Sequence, residues 1–201
     1  MQEILSISTI LAVIVISYLL GCICFAYYLS LMVHKKDIRE IGSGNPGSSN
    51  IGRQFGGLWF IAVLLLDALK GFIVVIFVNY LDFAMWVKSV SMLAVIIGHV
   101  WPVQLSFKGG KGLATVMGVA LGFNFIIVLG CAIIAGLFYL LINRSNAGLM
   151  ISVLFGPIFV WILGYSIEEI ITFIMMAIFV IFAHKNNISS FLKSGFKFLN
   201  N

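Results

Sequence analysis

Charge is what this sequence has least of. Lysine, arginine, aspartate and glutamate make up only 9% of its 201 residues, where a soluble globular domain carries about 25%. Cysteine is scarce as well. Cys22, Cys24 and Cys131 all lie inside apolar runs, which suits small packing residues rather than a disulfide framework, and a Cys-x-Cys pair is weak evidence for a metal. No His, Cys and carboxylate cluster has metal-ligand spacing, so neither a metal nor another cofactor is expected. No stretch alternates polar and apolar residues as a membrane strand would, which argues against a barrel. Two lipid-enzyme signatures are missing too. The His-x4-Asp pair of acyl-CoA-type glycerolipid acyltransferases is absent, because Arg39, Gln104 and Ser189 stand five residues beyond His34, His99 and His184. So is the multiple-aspartate motif of CDP-alcohol phosphotransferases. Spacing suggests no Ser–His–acid arrangement either.

What fills the chain is apolar sequence, 62% of it. It falls into the runs Ile4–Val33, Leu58–Tyr80, Val90–Phe107, Leu113–Ile142, Ala147–Leu163 and Ile167–Ala183. Runs of roughly 18 or more such residues read as transmembrane helices, and in lipid the backbone can satisfy itself only in helices or closed barrels. The expectation is an all-α integral membrane protein forming one membrane-embedded domain over residues 1–201, without repeat or linker. The acidic start Met1-Gln2-Glu3 and the lack of an A-x-A-like site suggest that the first run stays as a span and is not cleaved.

The few charges carry direction. Lys35, Lys36, Arg39 and Arg53 follow the first run, Lys108 and Lys111 the third, and Arg144, Lys185, Lys193 and Lys197 lie later. Glu3, Asp82, Glu168 and Glu169 fall in the other set of loops, with Lys88 as the basic exception. Lys/Arg-rich loops stay in the cytoplasm, so the N-terminus is expected outside and the C-terminus inside. The basic balance is thus a topology signal, and no nucleic-acid partner is expected. Keeping every basic loop on one side requires Leu113–Ile142 to cross twice, broken near 122–125, with a short helix starting near Lys111. Length objects, since a full span takes about 17 to 20 residues; the charges decide for about seven spans. In the tail, Ile188, Phe191, Leu192, Phe196 and Leu199 share a helical face away from Lys193 and Lys197, as in an amphipathic helix on the inner leaflet.

On that same side the polar residues gather. In "IGSGNPGSSNIGR" (41–53), Gly44 and Gly47 permit tight turns, while Asn45, Ser48, Ser49 and Asn50 offer side-chain partners. A concave run of amides can hold an oxyanion, and Arg53 can add a two-pronged contact to phosphate. A plain turn-rich connection explains the glycines alone. The arginine and a second basic glycine loop on the same side favour anion binding. That second loop, "SFKGGKGLAT" (106–115), carries Lys108, Gly109, Gly110, Lys111 and Gly112 ahead of an apolar helix whose N-terminus also favours an anion. It is not a Walker A motif, since Gly112 follows Lys111. A positive loop at the membrane edge is the alternative. In "AHKNN", His184 and Asn187 stand three apart and share a face if the helix continues. Alone, such a histidine is more often a helix-end contact than a catalyst. Asp67 and Lys70 inside a span are costly charges that can neutralise each other and orient a polar pocket. His99 reads as a buried hydrogen-bonding residue near the second loop.

The pieces "DIREIGSGNPGSSNIGR" (37–53), "DALKG" (67–71), "GHVWPVQLSFKGGKGLAT" (98–115) and "HKNNI" (184–188) resemble the bacterial acyl-phosphate:glycerol-3-phosphate acyltransferases of the PlsY type, in order and spacing over nearly the whole chain. The resemblance implies a seven-span enzyme of the bacterial inner membrane with its site at the cytoplasmic face. It would move a fatty acyl group from acyl phosphate to the sn-1 hydroxyl of glycerol 3-phosphate, releasing phosphate, with an acyl-phosphate-making enzyme supplying the donor. It puts Ser43 and Arg53 on substrate phosphate and the loop from Gly44 to Asn50 around the acyl-phosphate head. Lys111, His184 and Asn187 would hold glycerol 3-phosphate. The chain departs from the family at Ala183, where arginine is usual, at Ala147 in place of a serine, and in having no glutamate soon after Asn187. The rival reading from another class is a transporter or channel for phosphate or a phosphorylated metabolite, which would need polar residues near mid-membrane or on both faces.

Overall fold

The computed structural model describes residues 7–142 and 145–185. Among them the regular structure is helical: α1 (Ile7–Cys22), α2 (Phe25–His34), α3 (Ser48–Phe55), α4 (Gly57–Tyr80), α5 (Met85–Val100), a 3₁₀ turn (Val103–Leu105), α6 (Leu113–Phe123), α7 (Phe125–Ile142), α8 (Ser145–Ile162) and α9 (Ile167–Ala183). The amphipathic tail, Asn187 and Arg144 lie outside the described residues.

Apolar residues cover the bundle both inside and out. Val75 and Val78 of α4, Met92 and Ile96 of α5, Val119 of α6 and Met176 of α9 form one buried core. Leu65, Leu140 and Trp161 are 60%, 78% and 68% exposed, more apolar surface than water tolerates on a monomer. By length and composition, α4 and the stretch Met85–Leu105 are each able to cross a membrane, and the bent pair α1 and α2 makes a third candidate.

The first apolar run is not one continuous helix. It breaks at Ile23 and Cys24, and α1 meets α2 at 43°. The cause lies in α4. Lys70, 1% exposed, sends its ammonium to the carbonyls of Gly21 at 3.1 Å and Ile23 at 2.8 Å, and the Gln104 amide donates to the Cys22 carbonyl. Carbonyls freed by a broken helix must find donors inside a membrane protein, and here two side chains supply them.

The fourth run is broken as well, into α6 and α7. Asn124 adopts an extended backbone between them. Its amide donates to the Tyr165 hydroxyl at 2.8 Å, and its carbonyl oxygen accepts from the Ile126 amide at 2.8 Å. The short α6 packs tightly along α4: a methyl group on Gly118 would lie 1.8 Å from the Ala68 carbonyl, and one on Gly71 would lie 2.3 Å from that of Thr115. This near-contact of backbones anchors the start of α6, and with it the loop that precedes it.

Candidate active site

The first glycine loop is held by one buried asparagine. Asn50, at the start of α3, donates to the Ile38 and Ile41 carbonyls at 3.1 and 3.0 Å and accepts from the Ser43 amide at 3.0 Å. Its side chain is therefore committed to shaping the loop. Gly44 turns the chain with φ +69°, a conformation that side chains resist. Beneath, Ile38 and Ile51 pack with Ala26 and Val63. Outside this frame, Arg39 is bound to Asp37 at 2.7 Å and lies over the Tyr27 ring, and that guanidinium holds the Asp37 carboxyl below its ordinary range. Arg53, one turn on from Asn50, is exposed, and its Nη2 lies 3.4 Å from the Ser43 hydroxyl.

The second glycine loop folds back on the end of α5. The Gly109 and Gly110 amides donate to the Val100 and His99 carbonyls at 3.1 and 3.0 Å. This tether projects Lys111 from the turn before Gly112, which leads into α6 with φ +81°. Neither α3 nor α6 has a side-chain N-cap, so the first amides of both helices are available to an anion.

These loops and the end of α9 meet around one polar cavity of about 130 Å³. Ser43, Asn45, Gly47, Ser48, Ser49, Asn50 and Arg53 line it from the first loop and α3, and Lys111, Gly112, Leu113 and Ala114 from the second loop and α6. His184 closes the α9 side, and Asp67 and His99 line it as well. His184 is buried, and its Nδ1 lies 2.8 Å from the Val180 carbonyl. A carbonyl only accepts, so Nδ1 carries a proton, and in the neutral ring Nε2 then holds the lone pair. Burial pushes the His184 pKa down; the Val180 bond opposes this and the Lys111 charge adds to it. Burial also lowers the Lys111 pKa, with the neighbouring Arg53 charge contributing.

Of the candidates from sequence, Ser43, Asn45, Gly47, Ser48, Ser49, Asn50, Arg53, Lys111, Gly112 and His184 line this one cavity. Lys108, Gly109 and Gly110 line an adjoining depression that shares Asn45 and Lys111 with it. Gly44 lies behind the lining as a turn residue. Asp67 and His99 were expected near the pocket rather than in its wall. Their access depends on how α4 and α5 pack under the second loop, which periodicity does not reveal. Among the described residues, no group of three or more His, Cys, Asp or Glu is placed to hold a metal ion.

A second cavity of about 140 Å³ adjoins the first. It is lined by Leu64, Met117, Val128, Phe173 and Met176 among other apolar residues, and it shares Leu113 and Ala114 with the polar cavity. A cationic chamber and an apolar chamber thus meet at the first turn of α6.

The family model described as glycerol-3-phosphate acyltransferase matches residues 11–194. The glycerol-3-phosphate acyltransferase 1 of Bacillus thuringiensis subsp. konkukian (strain 97-27) is 35% identical over 172 residues, 86% of this chain and 94% of that protein. The glycerol-3-phosphate acyltransferase of Ehrlichia canis (strain Jake) is 37% identical over 182 residues, covering 90% and 94%. The fold is similar to the crystal structure of PlsY, an integral membrane glycerol 3-phosphate acyltransferase, in its glycerol 3-phosphate form. The TM-score there is 0.86 at 29% identity, covering 92% of this chain and 93% of that one.

Proposed function

The chain belongs to the glycerol-3-phosphate acyltransferase family, and from this premise we propose that it transfers a fatty acyl group from acyl phosphate to the sn-1 hydroxyl of glycerol 3-phosphate. The products are 1-acyl-glycerol 3-phosphate and inorganic phosphate, in the first step of phospholipid synthesis. The observation that carries the reading is the junction of chambers at Leu113 and Ala114. A donor with a phosphate head and an alkyl tail needs both chambers, side by side.

Acyl phosphate is already activated, so the reaction can run on positioning and on neutralising charge. Arg53 and Ser43 hold phosphate at the exposed mouth, assisted by the amides at the starts of α3 and α6. The loop from Gly44 to Asn50 cradles the acyl-phosphate head. Lys111 and His184, with Asn187, hold glycerol 3-phosphate. The hydroxyl of the acceptor attacks the acyl carbon directly, without an acyl-enzyme. The neutral His184, with its Nε2 lone pair, or the acceptor's own phosphate takes the proton.

The reading includes an arrangement in the membrane. The helices make about seven crossings, with the N-terminus outside and the two glycine loops and His184 at the cytoplasmic face of a bacterial inner membrane. There the soluble acceptor arrives from water and the greasy donor from the lipid or from the enzyme that makes it.

The test is purified protein in detergent with palmitoyl phosphate and glycerol 3-phosphate, following phosphate release and the lipid product. Release should depend on both substrates, and palmitoyl-CoA should not replace the donor. A covalently acylated protein trapped with labelled donor alone would sink the direct route.

A further inference from the structure

Two polar side chains in the cavity wall, Asp67 and His99, have no task in the scheme above. His99 is 3% exposed and sits in the last turn of α5, where it lines the polar cavity. Its Nδ1 lies 2.7 Å from the Lys70 ammonium. An ammonium has protons to give and no lone pair, so Nδ1 must accept. The ring is therefore neutral with its proton on Nε2, because a second proton on Nδ1 would point at the ammonium. Lys70 is itself fixed by the Gly21 and Ile23 carbonyls and by Asp67 at 2.9 Å.

The Nε2 edge faces the other way. A methyl group on Gly110 would lie 2.2 Å from Nε2, so this edge abuts the glycine immediately before Lys111. A neutral N–H donor, oriented by a buried lysine, is thus presented at the floor of an anion-binding cavity.

We propose that the Nε2–H of His99 is a catalytic donor that stabilises the acyl carbonyl oxygen as it gains negative charge. This rests on the acyl-phosphate reading above. The phosphates have Arg53 and Lys111 at the more exposed end, and the buried end also carries the Asp67 carboxylate, which repels a phosphate dianion. An uncharged carbonyl fits beside it. In the step, the acceptor hydroxyl oxygen bonds to the acyl carbon, and the carbonyl electron pair moves onto its oxygen. The pair returns as the bond to phosphate breaks, and the hydroxyl proton, taken first by His184 or the acceptor's own phosphate, ends on the released phosphate as hydrogen phosphate. A preoriented donor acts on the charge that develops between these two events, and removing one costs about 10²–10³ in kcat.

Two substitutions separate this role from a structural one. His99→Asn keeps an acceptor for Lys70 at the Nδ1 position but has nothing at Nε2, whereas His99→Gln places an amide donor near Nε2. Wild type and both variants are assayed with palmitoyl phosphate and glycerol 3-phosphate, alongside thermal unfolding in detergent. The expected result is that H99N unfolds like wild type and loses about 10² or more in kcat, with KM for glycerol 3-phosphate within about twofold. H99Q should recover most of the rate. If H99N fails to fold, Gly110→Ala carries the test: it crowds Nε2 and also shifts the loop that carries Lys111, so KM for glycerol 3-phosphate should rise, and the assignment requires that kcat fall with it. Full kcat in H99N or in the alanine variant, or an H99Q no better than H99N, would overturn the assignment while leaving an active wild type. A wild type without acyl transfer would overturn the reaction and this assignment with it.

Discussion

Arg53 and His184 show how far a single residue's role can be read before its neighbours are known. The sequence presents both as polar groups beside a membrane edge. Their meaning comes from the cavity that Arg53 enters from α3 and His184 from the end of α9. Asn50 shows the opposite limit. In a loop with five Ser or Asn residues nothing marks which one turns inward, and Asn50 proves to be the buried tie of the loop, bound to Ile38, Ile41 and Ser43. His184 also yields a prediction about stability. Its pKa is depressed in the folded protein, first by burial, while in the unfolded chain it titrates at about 6.5. Between those two values the unfolded state binds a proton that the native state refuses, so stability rises with pH there and falls on acidification. The contribution is complete above the unfolded value. Thermal unfolding from pH 7.5 down to 5 should therefore show a shallower loss for His184→Gln than for wild type. Equal slopes would mean that His184 titrates normally.

At the scale of elements, the helices were legible and their interruptions only partly so. The break between α6 and α7 was readable because the charge pattern required an extra crossing and Gly122 and Asn124 offered a place for it. The break between α1 and α2 was not. The residues around it are apolar, and its cause, Lys70, stands 47 residues beyond Ile23. Lys70 joins three elements, tying the α1–α2 break to Asp67 in α4 and His99 in α5. Lys70→Met leaves Asp67 as a buried charge with no counter-ion and strips the donor from two carbonyls. Breaking a buried pair from one side costs about 3–5 kcal/mol, so thermal unfolding in detergent should show a large loss. Asp67→Asn combined with Lys70→Met should recover part of it. A single variant as stable as wild type would show that the pair does not hold the break in place.

For the whole molecule, the fold class and the clustering of motifs at one end were accessible from hydropathy, charge bias and glycine loops. The two-chamber site was not, because it depends on α6 lying against α4 closely enough to place Leu113 and Ala114 between a polar and an apolar cavity. The same packing weakens the transporter alternative: Asp67 and Lys70 are engaged with each other, with His99 and with the broken helix. Orientation can be tested in cells on a background lacking Cys22, Cys24 and Cys131. An impermeant thiol reagent applied outside should label Glu168→Cys and spare Lys36→Cys, and the reverse pattern would invert the topology. The most direct test of the account is acceptor-dependent phosphate release from palmitoyl phosphate by purified wild type and Arg53→Ala at equal fold content. The account predicts release only when glycerol 3-phosphate is present, with lysophosphatidic acid formed in equal amount, and a loss of about 10²–10³ in Arg53→Ala that Arg53→Lys does not restore. Wild-type release that ignores the acceptor, or an Arg53→Ala variant as fast as wild type, would contradict it.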